Sequence, residues 1–227
     1  MPDDAVRAVA ELAASQHRAF TRNQAAALDF DYRRIATGKR AGWLAEPVSG
    51  VLTIAGSKPT WQQRLMVVVL ATGGHGVASH RAAARLHKLD RFDYPGMAVV
   101  EASVTRAFRH QFPDAVIHHI TPLDPCDVTT VDGIACTTIP RTLADLGSVI
   151  RDRRRVERAL TDVRRRHFDV LALQATAERL HRPGQAGTGT LLRLLDTIPF
   201  EGQVPATWFE ELVSLCLADP TLPEIVL

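Results

Sequence analysis

Long apolar runs are missing from this chain. The longest, Leu65–Ala71, falls well short of the roughly 20 residues that a membrane-spanning helix needs, and Met1-Pro2-Asp3-Asp4 is followed by neither a basic segment nor an apolar stretch. A soluble, cytoplasmic protein is expected. Cysteine is scarce as well: Cys126, Cys136 and Cys216 are odd in number and irregular in spacing, which excludes a disulfide framework and points to reduced thiols. Lysine is scarcer than arginine, because Lys39, Lys58 and Lys88 leave 24 of the 27 basic residues to arginine. A GC-rich genome produces that bias, so arginine number alone does not signal nucleic acid. There are no internal repeats, no low-complexity segments, and no basic residue after Arg193.

What is present is ordinary globular composition, 46% hydrophobic and 23% charged over 227 residues, which excludes intrinsic disorder and collagen. The charge is unevenly placed. Arg151–Arg166 holds eight arginines against three acids, whereas the residues beyond Arg193 carry Asp196, Glu201, Glu210, Glu211, Asp219 and Glu224. A basic body suits phosphates; an acidic end suits a protein partner or metal-bearing chemistry.

Punctuation along the chain predicts an α+β protein. Ala5–Ser15 has a helical stripe of Val6, Val9, Leu12 and Ala13, Thr21 caps a short helix through Leu28, and Asp31 caps a third helix that Gly42 ends. Strand-like runs follow at Trp43–Ala45 and Val51–Ile54. Three helices and a hairpin in this order are those of a winged helix-turn-helix. Helices are next expected at Trp61–Thr72, before a Gly73-Gly74 break, and at His80–Leu89. Strands are expected at Met97–Ser103 and Ala115–Ile120, and Asp132-Gly133 joins Val128–Val131 to Ile134–Thr137 as a hairpin. Pro140 starts a helix that Gly147 ends, and helices at Arg151–His167, Asp169–His181, Thr188–Ile198 and Pro205–Leu217 follow. The predicted organisation is a winged helix-turn-helix over 1–56, a mixed α/β domain over 57–150, a helical segment over 151–200, and an acidic end over 201–227. That end closes on Ile225-Val226-Leu227, either as a strand of a truncated last domain or as an edge strand of the main body.

The third helix carries the clearest chemistry. At 100° per residue Arg33, Thr37 and Arg40 share one narrow face, Arg34 and Lys39 flank it, and Ile35 points the opposite way. Arginine forks match guanine O6/N7 or paired phosphates, and such a helix fits the major groove. Asn23 and Gln24, at the start of the preceding helix, are placed to position a phosphate. The plainer alternative is a solvated face on a small helical domain. The arginines at 151–166 read as a solvated face in the same sense, with Glu157 and Asp162 as local partners, rather than as a second phosphate surface.

Neither metal nor catalytic chemistry is predicted. His75, His80 and His87 are near one another in sequence, and His118-His119 precedes Cys126 and Cys136, but C-x-x-C and H-E-x-x-H are absent. Adjacent histidines in a strand also point to opposite faces. Ser79-His80 with Asp145 is not a nucleophile elbow, and Gly184, Gly187 and Gly189 follow a helix rather than a strand, which makes them a loop rather than a dinucleotide site. No cofactor is expected.

Four stretches, in order over roughly 20–150, resemble the family of AbiEi-type antitoxins, the DNA-binding half of AbiE type IV toxin–antitoxin systems. They are Phe20-Thr21-Arg22-Asn23-Gln24 with Tyr32-Arg33-Arg34-Ile35; Ser49-Gly50-Val51-Leu52-Thr53-Ile54; Ala78-Ser79-His80-Arg81 through His87; and Asp132-Gly133-Ile134 with Thr137 through Leu146. The resemblance implies a winged helix bound to double-stranded DNA at its own promoter, and a second domain that counteracts a nucleotidyltransferase-like toxin. Many relatives continue into a domain similar to very-short-patch-repair endonucleases, and Trp208-Phe209-Glu210-Glu211-Leu212 resembles the first helix of that domain. Glu210 is the only matched acid, and one carboxylate does not hold Mg²⁺ for phosphodiester hydrolysis. Two departures from the family are Asp29, where relatives tend to have glycine, and a ribbon, Glu46-Pro47-Val48, that lacks their basic residue. The expectation is thus an antitoxin-type transcriptional regulator of phage defence. The alternatives are a truncated repair-type endonuclease and a phage-related interaction module without DNA binding.

Overall fold

The computed structural model describes residues 4–94, 96–105, 112, 114–120, 123–182 and 187–197. The first six elements form one unit: α1 (Asp4–Ser15), β1 (Ala19–Thr21), α2 (Arg22–Ala27), α3 (Tyr32–Arg40), β2 (Leu44–Val48) and β3 (Val51–Ile54). Local signals start the helices. Thr21 accepts from the Gln24 N–H at 3.0 Å while the Gln24 side chain accepts from the Thr21 N–H at 2.8 Å, a complete capping box, and Asp31 accepts from the Arg34 N–H at 3.0 Å. The turn into α3 passes through Asp29 at φ +56, a left-handed conformation in which glycine is the easiest residue.

β1 has no counterpart in the sequence reading. It lies antiparallel to β3, which also pairs with β2, giving the sheet order β1-β3-β2. Phe20 opposes Leu52 in that register, and both are fully buried with Val9, Phe30, Ile35 and Leu44. Gly38 lets α3 lie against the ribbon, since a Cβ there would fall 2.7 Å from Leu44 Cδ1 and 2.8 Å from the Trp43 ring.

The remaining elements build a larger body: α4 (Trp61–Ala71), β4 (Gly76–Ala78), α5 (His80–Leu86), β5 (Val100–Val104), β6 (Ala115–His119), a 3₁₀ turn (Pro125–Asp127), β7 (Val128–Val131), β8 (Ile134–Thr137), α6 (Ile139–Val149), α7 (Arg153–Arg165), α8 (Val170–Leu180) and α9 (Thr188–Asp196). The protein is α+β, and its described residues form two sheets. The second sheet runs β6-β5-β4-β8-β7, parallel at β5–β6 and β4–β8 and antiparallel elsewhere. Its central strand β4 occupies part of what reads in sequence as a break between helices. The expected β7–β8 turn is there, with Asp132 and Gly133 at φ +52 and +72.

α4 packs against both sheets, which accounts for its composition. Leu65, Met66, Val67, Val68 and Val69 are all buried, so the helix has no polar stripe. One apolar cluster runs through it from Ala19 and Val51 of the first sheet to Ala102, Ile134 and Cys136 of the second. A second cluster joins Leu89, Phe92 and Leu143 to Leu160, Leu173 and Leu191, so residues on both sides of position 150 share one core.

Gly147 does not end α6, as its identity suggested. The helix runs on to Val149, and a Cβ on Gly147 would lie 2.3 Å from the Gly187 carbonyl oxygen. The glycine is there for close backbone approach, not for termination. Among the described residues no helix is long and apolar enough to cross a membrane. The expected helix Pro205–Leu217, Glu210 within it, and the closing strand lie outside the described residues.

Candidate nucleic-acid interface

α3 separates its faces as its spacing predicts. Ile35 and Gly38 are buried against the N-terminal core, while Arg33, Thr37 and Arg40 are exposed. Among the described residues neither Arg33 nor Arg40 has an ion-pair partner, so two guanidiniums about two helical turns apart face solvent with a hydroxyl between them. Arg34 is half-buried, and its guanidinium donates to the Asp29 carbonyl at 3.3 Å. That bond ties α3 back to the turn that precedes it. Asn23 is exposed in the first turn of α2, whereas the Gln24 carbonyl oxygen is committed to the capping box.

Lys39 turns away from the exposed face toward the ribbon. Its Nζ lies 2.5 Å from Glu46 Oε2. Glu46 also takes a two-point contact from Arg22, Nε to Oε1 at 2.8 Å and Nη2 to Oε2 at 2.7 Å, and accepts from the Gly50 N–H at 3.0 Å. The Arg22 bonds, joined by those from Lys39 and Gly50 and opposed by burial, hold the Glu46 carboxyl at about 2. Sequence reasoning saw in Glu46 only the lack of a basic residue. The signal available was an acid in a ribbon within reach of two cations, and nothing local shows which cations those are.

The body holds a second polar assembly, deep inside. Glu101 on β5 is fully buried and accepts from the Arg81 backbone N–H at 2.8 Å and from its guanidinium at 3.0 and 2.6 Å. Burial would raise its carboxyl, but His118 and Arg81 outweigh burial and hold it at about 2. His80 enters α5 at φ +51 and stacks on His118, ring centroids 3.7 Å apart. Burial, with the neighbouring charge of His118, lowers it to about 3, so His80 is neutral at ordinary pH. Its Nδ1 lies 2.9 Å from Ser79 Oγ, to which Ser103 Oγ donates at 2.8 Å. Ser79 and Ser103 are fully buried and His80 nearly so; this chain of groups joins α5 to the sheet and presents no reactive atom to solvent.

Next to it, Asp127 accepts from Arg141 at 2.9 Å and from Arg179, and Arg141 Nε donates to Asp145 at 3.0 Å. Burial raises the Asp145 carboxyl to about 6 despite Arg141, with Asp127 adding to the rise. Asp145 Oδ2 is buried without a hydrogen-bond partner.

Among the described residues no three His, Cys, Asp or Glu side chains are placed to hold a metal ion. Along the 151–166 run, Arg153 and Arg154 of α7 are exposed; Arg155 lies over Phe92, and Arg166, just past the helix, binds Asp162 and the His87 and Lys88 carbonyls. Arg91, Arg154, Arg155 and Arg158 line a hollow, but Asp90, Asp93 and Asp152 line it too and offset most of the charge. No protein-family model matches this chain, and no curated protein matches it.

Proposed function

We propose that this protein is an antitoxin-type transcriptional regulator that binds double-stranded DNA upstream of its own gene. In this reading residues 4–54 are a winged helix-turn-helix, α3 is its recognition helix, and β2–β3 is the wing. One observation carries it: the order α1-β1-α2-α3-β2-β3 with an antiparallel sheet β1-β3-β2 leaves a single helix, α3, with a buried apolar side and an open face of Arg33, Thr37 and Arg40. A guanidinium fork donates in parallel to guanine O6 and N7, and the Thr37 hydroxyl serves as either donor or acceptor. Arg34 flanks that face, Lys39 is drawn off it to Glu46, and Asn23 and Gln24 stand at the neighbouring helix start for a backbone phosphate. The body, whose sequence carries the other half of the resemblance to AbiEi-type antitoxins, is assigned to counteracting a nucleotidyltransferase-like toxin.

The test is binding of the full chain to a fragment from upstream of its own gene, in competition with scrambled duplex. Arg33→Ala and Arg40→Ala are each expected to cost roughly 1–3 kcal/mol of affinity and to relax specificity at one base position. Their stability should stay within about 0.5 kcal/mol of wild type, since both side chains are exposed. Weak binding to every duplex, unchanged by both substitutions, would overturn the proposal.

A further inference from the structure

Three elements of the N-terminal unit converge on one carboxylate. Glu46 of β2 fills both oxygens with the Arg22 fork from α2, the Lys39 ammonium from α3 and the Gly50 N–H of the ribbon turn, at 2.5–3.0 Å. Its side chain is 13% exposed, whereas those of Arg22 and Lys39 are 44% and 42% exposed. The cations therefore reach solvent while the anion that holds them sits behind. A guanidinium fork, an ammonium and a backbone N–H are also the donor set that cradles a phosphate of the DNA backbone.

We propose that Glu46 stands in for a backbone phosphate: it keeps Arg22 and Lys39 engaged within the protein and so suppresses sequence-independent binding to DNA. The proposal rests on the DNA-binding reading given above. Its physical basis is counterion release, in which sequence-independent affinity grows with the number of phosphates a protein neutralises. Two cations closed on one internal anion contribute little to that number. Moving them onto DNA would leave the Glu46 carboxylate uncompensated beside a phosphate, a like-charge contact that opposes the exchange. Arg33 and Arg40 stay outside the clamp, so base readout is favoured over backbone attraction. The carboxylate is ionised throughout the working range of pH, because its bonds hold it at about 2.

The experiment uses the full chain with the upstream fragment and a scrambled duplex of equal length, titrated from about 50 to about 200 mM salt. For E46Q, affinity for the scrambled duplex is expected to rise about tenfold at the lowest salt, and the slope of log K against log salt to steepen by about one to two. K39Q in the wild-type background should change either affinity by less than about twofold, whereas in the E46Q background it should remove about one unit of that added slope. K39Q keeps the proposal falsifiable if E46Q does not fold: a loss of tenfold or more from K39Q alone would mean that Lys39 already contacts DNA, and would overturn it. If wild type binds the upstream fragment through Arg33 and Arg40 but folded E46Q binds scrambled duplex no better, Glu46 is a structural brace and this inference alone fails. If neither wild type nor E46Q binds any duplex, the DNA-binding reading fails and takes this inference with it.

Discussion

In the N-terminal unit the ionised side chains lie at the rim, whereas in the five-stranded body Glu101, Asp127 and Arg141 lie inside, at 0%, 1% and 4% exposure. The core beneath the rim, Phe20, Phe30, Ile35 and Leu52 among its members, includes none of these charges; replacing the exposed Arg33 or Arg40 is expected to alter what the surface attracts and to leave the fold intact. The interior charges are themselves part of the packing. Asp127 joins the start of β7 to α6 and α8 through Arg141 and Arg179, and Glu101 joins β5 to α5 and β6. Surface charge and internal cohesion thus use the same residue types in two places, separated by burial.

The sharpest way to break that contrast is Asp127→Ala. It takes the Asp127 carboxylate from the buried Arg141, which keeps Asp145, and removing one partner of a buried pair costs about 3–5 kcal/mol. Urea unfolding of the variant measures this. A loss below about 1 kcal/mol would place the interior charges in the same class as the rim, where exposed pairs contribute that little.

A smaller effect depends on pH. Asp145 sits at about 6 in the folded protein against an ordinary 3.8, so between those values the native state binds its proton more tightly than the unfolded chain does. Its contribution to stability is fully present below about 3.8 and is lost as pH rises through about 6. Asp145→Asn does not titrate, and its stability relative to wild type should therefore rise by roughly 2–3 kcal/mol between about pH 4 and about pH 7. A flat difference would mean that Arg141 outweighs burial and keeps the carboxylate charged. Glu101 has the opposite sign: held at about 2 against an ordinary 4.5, it stabilises the fold above 4.5 and ceases to do so as pH falls toward 2.

The two regions also differ in how their helix glycines would respond to a methyl group. Gly147→Ala meets the Gly187 carbonyl oxygen at 2.3 Å, a backbone atom that cannot step aside without moving the start of α9. A loss of about 2 kcal/mol is expected in thermal or urea unfolding. The nearest atoms that Gly38→Ala meets are in the side chains of Leu44 and Trp43, and alanine regains about 1 kcal/mol of helix propensity. Its net cost should stay below about 1 kcal/mol. Equal losses at the two sites would show that the ribbon is as rigid as the interior of the body.

Much of the fold was legible because its signals close within a few residues. Thr21 with Gln24, Asp31 with the Arg34 N–H, and the left-handed Asp132-Gly133 pair need only their own neighbourhood, and the α3 face follows from helical periodicity alone. The three-residue strands β1 and β4 were not legible. Each is too short to show alternation, and each exists because a partner arrives from elsewhere, β3 for Ala19–Thr21 and both β5 and β8 for Gly76–Ala78. In the candidate site the exposed Arg33, Thr37 and Arg40 were readable, but the commitment of Lys39 was not. Its acceptor is seven residues away across a turn whose direction depends on how the ribbon packs.

The sequence by itself determined the caps, the turns, the amphipathic helices and the basic face of α3, since each is an interaction among residues already adjacent along the chain. Only the tertiary structure decided that Glu46 gathers Arg22 and Lys39, that Asp127 meets Arg179 across 52 residues, and that Gly147 gives room to a carbonyl instead of ending a helix. Those contacts depend on long-range packing, where burial strengthens electrostatics and forbids unpaired charge; no short window of sequence contains both partners.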